Sequence, residues 1–227
     1  MKKEIVLMTD FGLATGYVGA MYGVIKMVDR ELSAHDLNHE VRAFDMKQAS
    51  ELLLATIPYW PKETVFVSVV DPGVGTARKS CVALLNNGSY VVTPDNGTLT
   101  AIKDWVVCVR QIDESVNRLP GSENGNTFHG RDVYSYTAAR LASGIIDYEG
   151  VGPEYDMSEI VTYKQNKASV KDGYVECEVN GAEKHFGGLS LTVTAEEFKT
   201  TGIDLNDWTH VTITREDKVL YDEDVLY

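Results

Sequence analysis

A nearly continuous run of β-branched and aromatic residues occupies positions 64–70 and ends at Asp71. A run of this kind, without polar alternation, is typical of a strand that is buried on both faces of a helix-covered sheet. A second apolar run, at 4–8, is followed in the same way by Thr9 and Asp10. The two runs therefore predict an α/β domain in which buried strands deliver polar residues to loops.

Apolar residues recur at helical spacing in three places: 18–28, 49–57 and 133–141. Asp45 with Gln48 three residues later makes a capping-box signature at the start of the second helix, and Gly144 is placed to end the third. Strands and helices alternate through the first 145 residues, which predicts a layered domain with a mixed or mainly parallel sheet.

The segments 80–85 and 89–93 are short strand-like runs joined by Asn86-Asn87-Gly88. Because Asn-Gly supplies positive φ angles, this junction predicts a hairpin closed by a tight primed turn. A further strand is expected at 106–110.

From about residue 160 the chain becomes rich in Thr and Val, and four strands are expected: 173–179, 188–194, 209–214 and 218–221. Thr194 with Glu197 predicts one short helix among them. We expect an α/β catalytic domain at 1–150, a linker at 151–168 and a small all-β, barrel-like domain at 169–227.

The chain has 227 residues, and 21 Lys and Arg against 34 Asp and Glu give a formal charge of −13. Such a surface repels phosphate backbones and anionic membranes, so neither nucleic acid nor membrane is expected as a partner. No apolar stretch approaches the roughly 18 residues of a membrane span. The apolar run after Lys3 is too short for a signal peptide. Small-molecule chemistry is the better expectation.

Three cysteines, Cys81, Cys108 and Cys177, form no CxxC pair and leave an odd number. This pattern is typical of reduced thiols rather than of a disulfide or zinc framework. We therefore expect a cytoplasmic protein.

Ligands of open α/β sheets bind beyond the carboxyl ends of the strands. Four segments qualify by position: 9–12, 71–78, 93–97 and 127–132. Each also fits a structural role, because Asp before Pro-Gly forms turns and a His-Gly-Arg-Asp string can begin a helix. Together, however, Asp71, Arg78 and His129 make a set that can bind, orient and deprotonate a water molecule.

Two other kinds of site have weaker support. The glycines at 73 and 75 follow neither a GxGxxG nor a Walker pattern, so phosphate binding is a weak hypothesis. His35, Asp36 and His39 lack the offset of an HExxH helix. We expect both histidines to be core or loop partners and no metal to be bound.

Five motifs are specific enough to point to a family: MTDFG (8–12), YVGAMYGVI (17–25), VVDPGVGTAR (69–78), TPDNGTLT (93–100) and NTFHGRD (126–132). In order and spacing they resemble the S-adenosylmethionine hydroxide adenosyltransferase (DUF62) family, which is related to the fluorinase and chlorinase. The resemblance covers about residues 4–160.

The resemblance implies an N-terminal α/β domain, a C-terminal barrel-like β domain and a homotrimer with active sites between subunits. It implies that water attacks the ribose C5′ of S-adenosylmethionine, which is a substrate and not a cofactor, and yields adenosine and methionine. The family's triad falls on Asp71, Arg78 and His129, and its ribose-binding carboxylate on Asp10. We also expect Phe11 to pack either on the nucleoside or in the core.

The second domain departs from the family pattern. Lys184 stands where the family has an acidic residue, and Gly188 stands where it has an Asn that binds adenine. We expect Phe186 and Gly188 to contact the substrate. The β domain is also expected to be shortened. Hydrolysis of S-adenosylmethionine is the first hypothesis, and His129 argues against a halogenase, because halogen-transferring relatives lack it. A hydrolase of another 5′-substituted nucleoside and a nucleoside-binding or regulatory module remain as alternatives.

Overall fold

The computed structural model describes residues 2–183 and 187–227, and the chain divides into two compact units, Met1–Tyr163 and Lys164–Tyr227. The division lies inside the predicted linker. Residues before it pack on the first unit, since Ile160 is buried there and the Val161 N–H donates to Asp95. In the described part of the chain, no helix is long and apolar enough to cross a membrane.

The first unit is built on a six-stranded sheet: β1 Ile5–Thr9, β2 Ala34–Asn38, β3 Val65–Val69, β4 Ser80–Leu85, β5 Tyr90–Pro94 and β6 Val106–Gln111. The strand order is β2-β1-β3-β5-β4-β6. β1 lies parallel to β2 and β3, and β3 lies parallel to β5, whereas β4 is antiparallel to β5 and β6. The predicted mixed, mainly parallel sheet is confirmed.

This topology decides which residues meet. The carboxyl ends of β1, β3 and β5 lie at one edge of the sheet, and the antiparallel β4 begins at the same edge. Asp10 follows β1, Asp71 follows β3, and Arg78 comes two residues before β4. The chain leaves β1 on one side towards β2 and returns on the other to β3, which is the kind of switch point where α/β sheets bind ligands.

Helices cover both faces of the sheet: α1 Tyr17–Val28, α2 Met46–Thr56 and α3 Tyr136–Ser143. Ile5 and Leu7 pack in one buried cluster with residues of α1 and α3, whereas Val6 and Met8 pack in a second cluster with residues of α2. Alternate side chains of one strand thus enter opposite cores, which explains why β1 is apolar from Ile5 to Met8.

Local details differ from the prediction at two connections. The Asp45 side chain caps α2 as expected by accepting from the Gln48 N–H, but the Gln48 side chain accepts from the N–H of Arg42 instead of Asp45. In the β4–β5 hairpin, Gly88 has a φ of +85° while Asn87 does not have a positive φ. The loop is therefore a turn followed by a glycine bulge, and the predicted primed turn is wrong.

The second unit contains three antiparallel strand pairs in its described part: β7 Ser169–Lys171 with β8 Tyr174–Glu176, β9 Val179–Glu183 with β10 Gly188–Leu191, and β11 Trp208–Arg215 with β12 Lys218–Leu226. A short helix, α4 Ala195–Lys199, begins at a complete Thr194–Glu197 capping box. The β character of this unit and its one helix are confirmed, and barrel-like closure stays a prediction.

Candidate active site

Asp71 and Arg78 form a buried bidentate ion pair at the carboxyl edge of the sheet. Arg78 Nε donates to Asp71 Oδ1 at 2.9 Å and Nη2 to Oδ2 at 2.5 Å. The Asp71 and Arg78 side chains are only 5% and 10% exposed. Charge-assisted pairs of this geometry hold both planar groups in one orientation. Burial opposes the charge of Arg78, but its bond to Asp71 keeps the pKa of the guanidinium above its ordinary value.

The loop between these two residues also brings the next segment into place. Gly75 has a φ of +76°, and a Cβ built on it would lie 2.9 Å from the backbone oxygen of Asn126. Glycine is therefore required at this position for two reasons, the left-handed backbone and the close approach of Asn126. The contact sets the 126–132 segment against the Asp71–Arg78 loop.

His129 lies in that segment and is almost fully buried, with 6% of its surface exposed. Its Nδ1 is 3.0 Å from Arg78 Nη2. Because a guanidinium only donates hydrogen bonds, Nδ1 must accept, and the neutral ring then carries its proton on Nε2. That buried Nε2 has no hydrogen-bond partner among the described residues.

Burial lowers the pKa of His129 below its ordinary value, and the charges of Arg78 and Arg118 lower it further, while Glu114 and Asp71 oppose them. The ring is therefore held in its neutral form near pH 7. Residues Asp71, Arg78 and His129 are called the triad below. The triad thus presents the Nε2–H of His129, which no described group accepts, beside an Arg–carboxylate pair.

A layer of polar groups behind the triad was not predicted. Ser80 Oγ accepts from Arg78 Nη1 at 2.9 Å and donates to Glu114 Oε1 at 3.0 Å. Tyr134, fully buried, donates to Asp71 Oδ2 at 3.4 Å. Tyr134 belonged to an apolar helical stripe and Ser80 to a strand, so neither carried a sequence signal of its place beside the triad.

Asp10 follows β1, the neighbour of β3, and is half-buried. Its Oδ2 accepts from the backbone N–H of Phe44 at 2.9 Å. Its other oxygen, Oδ1, makes no hydrogen bond to a described residue. Asp10 thus has one oxygen anchored and one available to a ligand.

Phe11 packs partly against the core and partly against the 126–132 segment that carries His129. Its ring lies 5.9 Å from that of Phe128 and 6.1 Å from that of Tyr17, centroid to centroid, in edge-on geometry. A Cβ on Gly130 would touch the Phe11 ring at 3.0 Å. Phe11 therefore joins the Asp10 loop to the residues around His129.

The two other histidines of the first unit, His35 and His39, have different places. His39 is buried with both ring nitrogens in hydrogen bonds, to Thr9 and to Asp36. His35 lies on β2, a strand missed in the sequence, and pairs at the surface with Glu4. Within 2–183 and 187–227, no three His, Cys, Asp or Glu side chains are grouped to hold a metal ion.

A family model described as the N-terminal domain of SAM hydroxide adenosyltransferase matches residues 5–152. The chain belongs to the SAM hydroxide adenosyltransferase family. The matched range contains the triad and Asp10. It ends before the second unit of this family member.

Curated relatives and a solved structure agree with this membership. An (R)-S-adenosyl-L-methionine hydrolase from Methanocaldococcus jannaschii is 38% identical over 170 residues, which are 73% of this chain and 61% of the relative. A protein of the same name from Salinispora arenicola is 35% identical over 190 residues, 82% of this chain and 70% of the relative. The crystal structure of an uncharacterized conserved protein from Thermotoga maritima matches with a TM-score of 0.88 at 32% identity, covering 98% of this chain and 81% of that one.

The predicted contacts in the second unit of this adenosyltransferase-family chain stay predictions. Phe186 lies outside the described residues, as does Lys184. Gly188 opens β10 and is exposed. The triad is thus the part of the predicted site whose residues are brought into contact.

Proposed function

We propose that this protein hydrolyses S-adenosylmethionine to adenosine and methionine by attack of water on the ribose C5′. The observation that carries the proposal is the buried Nε2 of His129, which has no partner in 2–183 or 187–227 and lies beside the Asp71–Arg78 pair. The names of the two hydrolase relatives support the same substrate.

The reaction makes modest demands on the protein. One oxygen–C5′ bond forms, the C5′–sulfur bond breaks, its electron pair goes to sulfur, and one proton leaves the attacking water. The sulfonium is already a good leaving group and needs no acid. The protein must therefore supply an oriented water molecule in a dry site, in line with the bond that breaks.

In this mechanism His129 Nε2–H donates to the water oxygen and orients it. The ring is not the base, because Nδ1, the nitrogen free of a proton, is engaged by Arg78. As the new bond forms, the water becomes strongly acidic, and even the ion-paired carboxylate of Asp71 then accepts its proton. Arg78 aligns both groups through its hydrogen bonds to Asp71 and His129.

Other residues bind the substrate. Asp10 Oδ1 accepts from the ribose hydroxyls, and Phe11 packs beside the nucleoside. Phe186 and Gly188 contact the base. The protein requires no resident cofactor or metal and acts on a small molecule. The pattern of three cysteines favours the cytoplasm, and the charge of −13 disfavours nucleic acid as a partner. Assembly as a homotrimer is what the family resemblance implies.

The direct test is incubation of the purified protein with S-adenosylmethionine in ¹⁸O-labelled water. We expect adenosine and methionine by chromatography, with one ¹⁸O atom in the 5′-hydroxyl of adenosine. Added chloride or fluoride tests the halogenase alternative, which predicts a 5′-halogenated nucleoside. Absence of turnover, or unlabelled adenosine, would contradict hydrolysis at C5′.

A second candidate rests on Lys184 and Gly188, which replace the family's methionine- and adenine-binding residues. These replacements favour a nucleoside-binding or regulatory module, or a hydrolase of another 5′-substituted nucleoside. Calorimetry with adenosine tests for the nucleoside-binding or regulatory module, because tight binding without turnover supports it. A panel of 5′-substituted adenosines tests the other.

A further inference from the structure

A chain of hydrogen bonds runs beneath the Asp10 loop, from α1 to the backbone of Phe11. Tyr22 Oη donates to Asp36 Oδ1 at 2.5 Å, and His39 Nε2 lies 2.8 Å from the same oxygen. His39 Nδ1 is 2.8 Å from Thr9 Oγ1, which accepts from the Phe11 N–H at 3.2 Å. The chain joins residues of α1, β2 and β1 to the loop that follows β1.

One set of bond directions satisfies every group in this chain. The Phe11 N–H only donates, so Thr9 Oγ1 accepts there and has its single hydrogen for His39 Nδ1. Burial disfavours the charged form of Asp36, but hydrogen bonds from Tyr22 and His39 outweigh it and lower the pKa of Asp36. An ionised Asp36 accepts from His39 Nε2–H. The neutral ring with its proton on Nε2 therefore satisfies every group.

His39 holds the loop at a second point as well. Its carbonyl accepts from the Gly12 N–H at 2.8 Å. Thr9 is fully buried and His39 is 4% exposed, so water does not compete for the bond between their side chains. The backbone on both sides of Asp10 is thus fixed, at Thr9 and at Phe11, before any ligand arrives.

We propose that His39 is a positioning residue that holds Asp10 for a vicinal diol such as that of ribose. The inference rests on the proposed function, because it assigns the diol of the nucleoside to Asp10. Fixing a carboxylate in its binding geometry lowers the ordering cost of each hydrogen bond to the ligand. The chain ends at the N–H of Phe11, the peptide group that follows Asp10. The Phe11 ring keeps its own contacts with Tyr17 and Phe128, so loss of the chain affects contacts to the diol more than contacts elsewhere on the nucleoside.

The test compares the affinities of adenosine and 2′,3′-dideoxyadenosine by calorimetry. We expect wild type to prefer adenosine, and Asp10→Ala to remove this preference. Thr9→Val and His39→Leu should lower the preference about tenfold by weakening adenosine binding alone, as expected for a disordered hydrogen bond to a charged group. Thr9→Ser, which keeps the hydroxyl, should keep the wild-type preference for adenosine.

His35→Gln is the matched control, since His35 lies on β2, the strand that His39 directly follows, but pairs at the surface with Glu4. It should leave the preference unchanged. Imidazole ¹⁵N NMR should show His39 as the tautomer protonated on Nε2, and Thr9→Val should change its Nδ1 shift.

The outcomes separate the two levels of the proposal. If wild type prefers adenosine but Thr9→Val and His39→Leu keep that preference, the positioning role is wrong and the proposed function stands. Equal weakening of both ligands shows a merely structural role and also overturns it. If wild type shows neither turnover nor a preference for adenosine, the proposed function fails and this role with it.

Discussion

Arg78 donates from Nη2 to Nδ1 of His129 across 3.0 Å, in a setting where both side chains are shielded from solvent. This single contact decides the tautomer of the ring, because an arginine has no acceptor to offer. The proton of neutral His129 therefore resides on Nε2, the atom without a partner among the described residues. His129 is consequently a hydrogen-bond donor to whatever occupies the site.

Replacement of His129 distinguishes a donor from a base. Glutamine offers a carbonyl to Arg78 and an N–H to the site, whereas alanine offers neither. We expect His129→Ala to lower kcat for S-adenosylmethionine by about 10²-fold or more, and His129→Gln to retain much more activity. Adenosine affinity should change little in both. Equal inactivation by the two substitutions in steady-state assays would instead identify a general base.

Arg78→Lys tests the bidentate geometry. An ammonium group cannot span both Asp71 oxygens while also contacting His129 and Ser80, so the triad should lose its alignment. We expect kcat/KM to fall about 10²-fold or more. The exposed Arg30 supplies the control, since Arg30→Lys should leave kcat/KM unchanged. Full activity of Arg78→Lys would mean that the charge alone suffices.

The acid side of the pH profile should report His129. Protonation would place an N–H of the ring against the N–H of Arg78, so the neutral ring is the active form. Because the pKa of His129 is lowered, activity should persist below pH 6.5 and fall only in more acid solution. The carboxylate of Glu114 raises this pKa, and Glu114→Gln should therefore move the loss of activity to still lower pH.

NMR titration of the His129 ring checks this shift without turnover. The midpoint should lie below 6.5 in wild type and lower in Glu114→Gln. Ser115→Ala, at the residue after Glu114, should leave the midpoint of His129 unchanged. A midpoint that rises in Glu114→Gln would contradict the assigned electrostatics.

Two glycine substitutions should have opposite effects on stability. Gly23 lies inside α1, and an added Cβ would meet no neighbouring atom within 4 Å, so Gly23→Ala should raise the free energy of unfolding by about 0.5–1 kcal/mol. Gly75→Ala should lower it by about 1–3 kcal/mol, because its φ is positive and its Cβ would meet the Asn126 carbonyl. Urea unfolding measures both.

Gly75→Ala should also reduce turnover, since the 126–132 segment that carries His129 must move. Gly23→Ala should not. A Gly75→Ala protein with wild-type stability and turnover would show that the loop accommodates the added methyl group.

The layered fold was predictable because it depends on local patterns. The runs at 64–70 and 4–8 are almost wholly apolar because β1 and β3 face helices on both sides. Gly144 ends α3 in a left-handed conformation that few other residues adopt. β2 was missed because AHDLN has no apolar alternation, and its pairing with β1 is made by backbone groups that any sequence supplies.

The chemistry of the site depended on contacts between distant parts of the chain. Asp71, Arg78 and His129 were recognisable from their motifs, as residue types suited to water activation. Their mutual orientation, the tautomer of His129 and the places of Ser80 and Glu114 were not. The hydrogen-bond chain from Tyr22 through His39 to Phe11 was not recognisable either. Periodicity records which face of a segment is buried, whereas hydrogen-bond direction is set by which partners the folded sheet brings within about 3 Å.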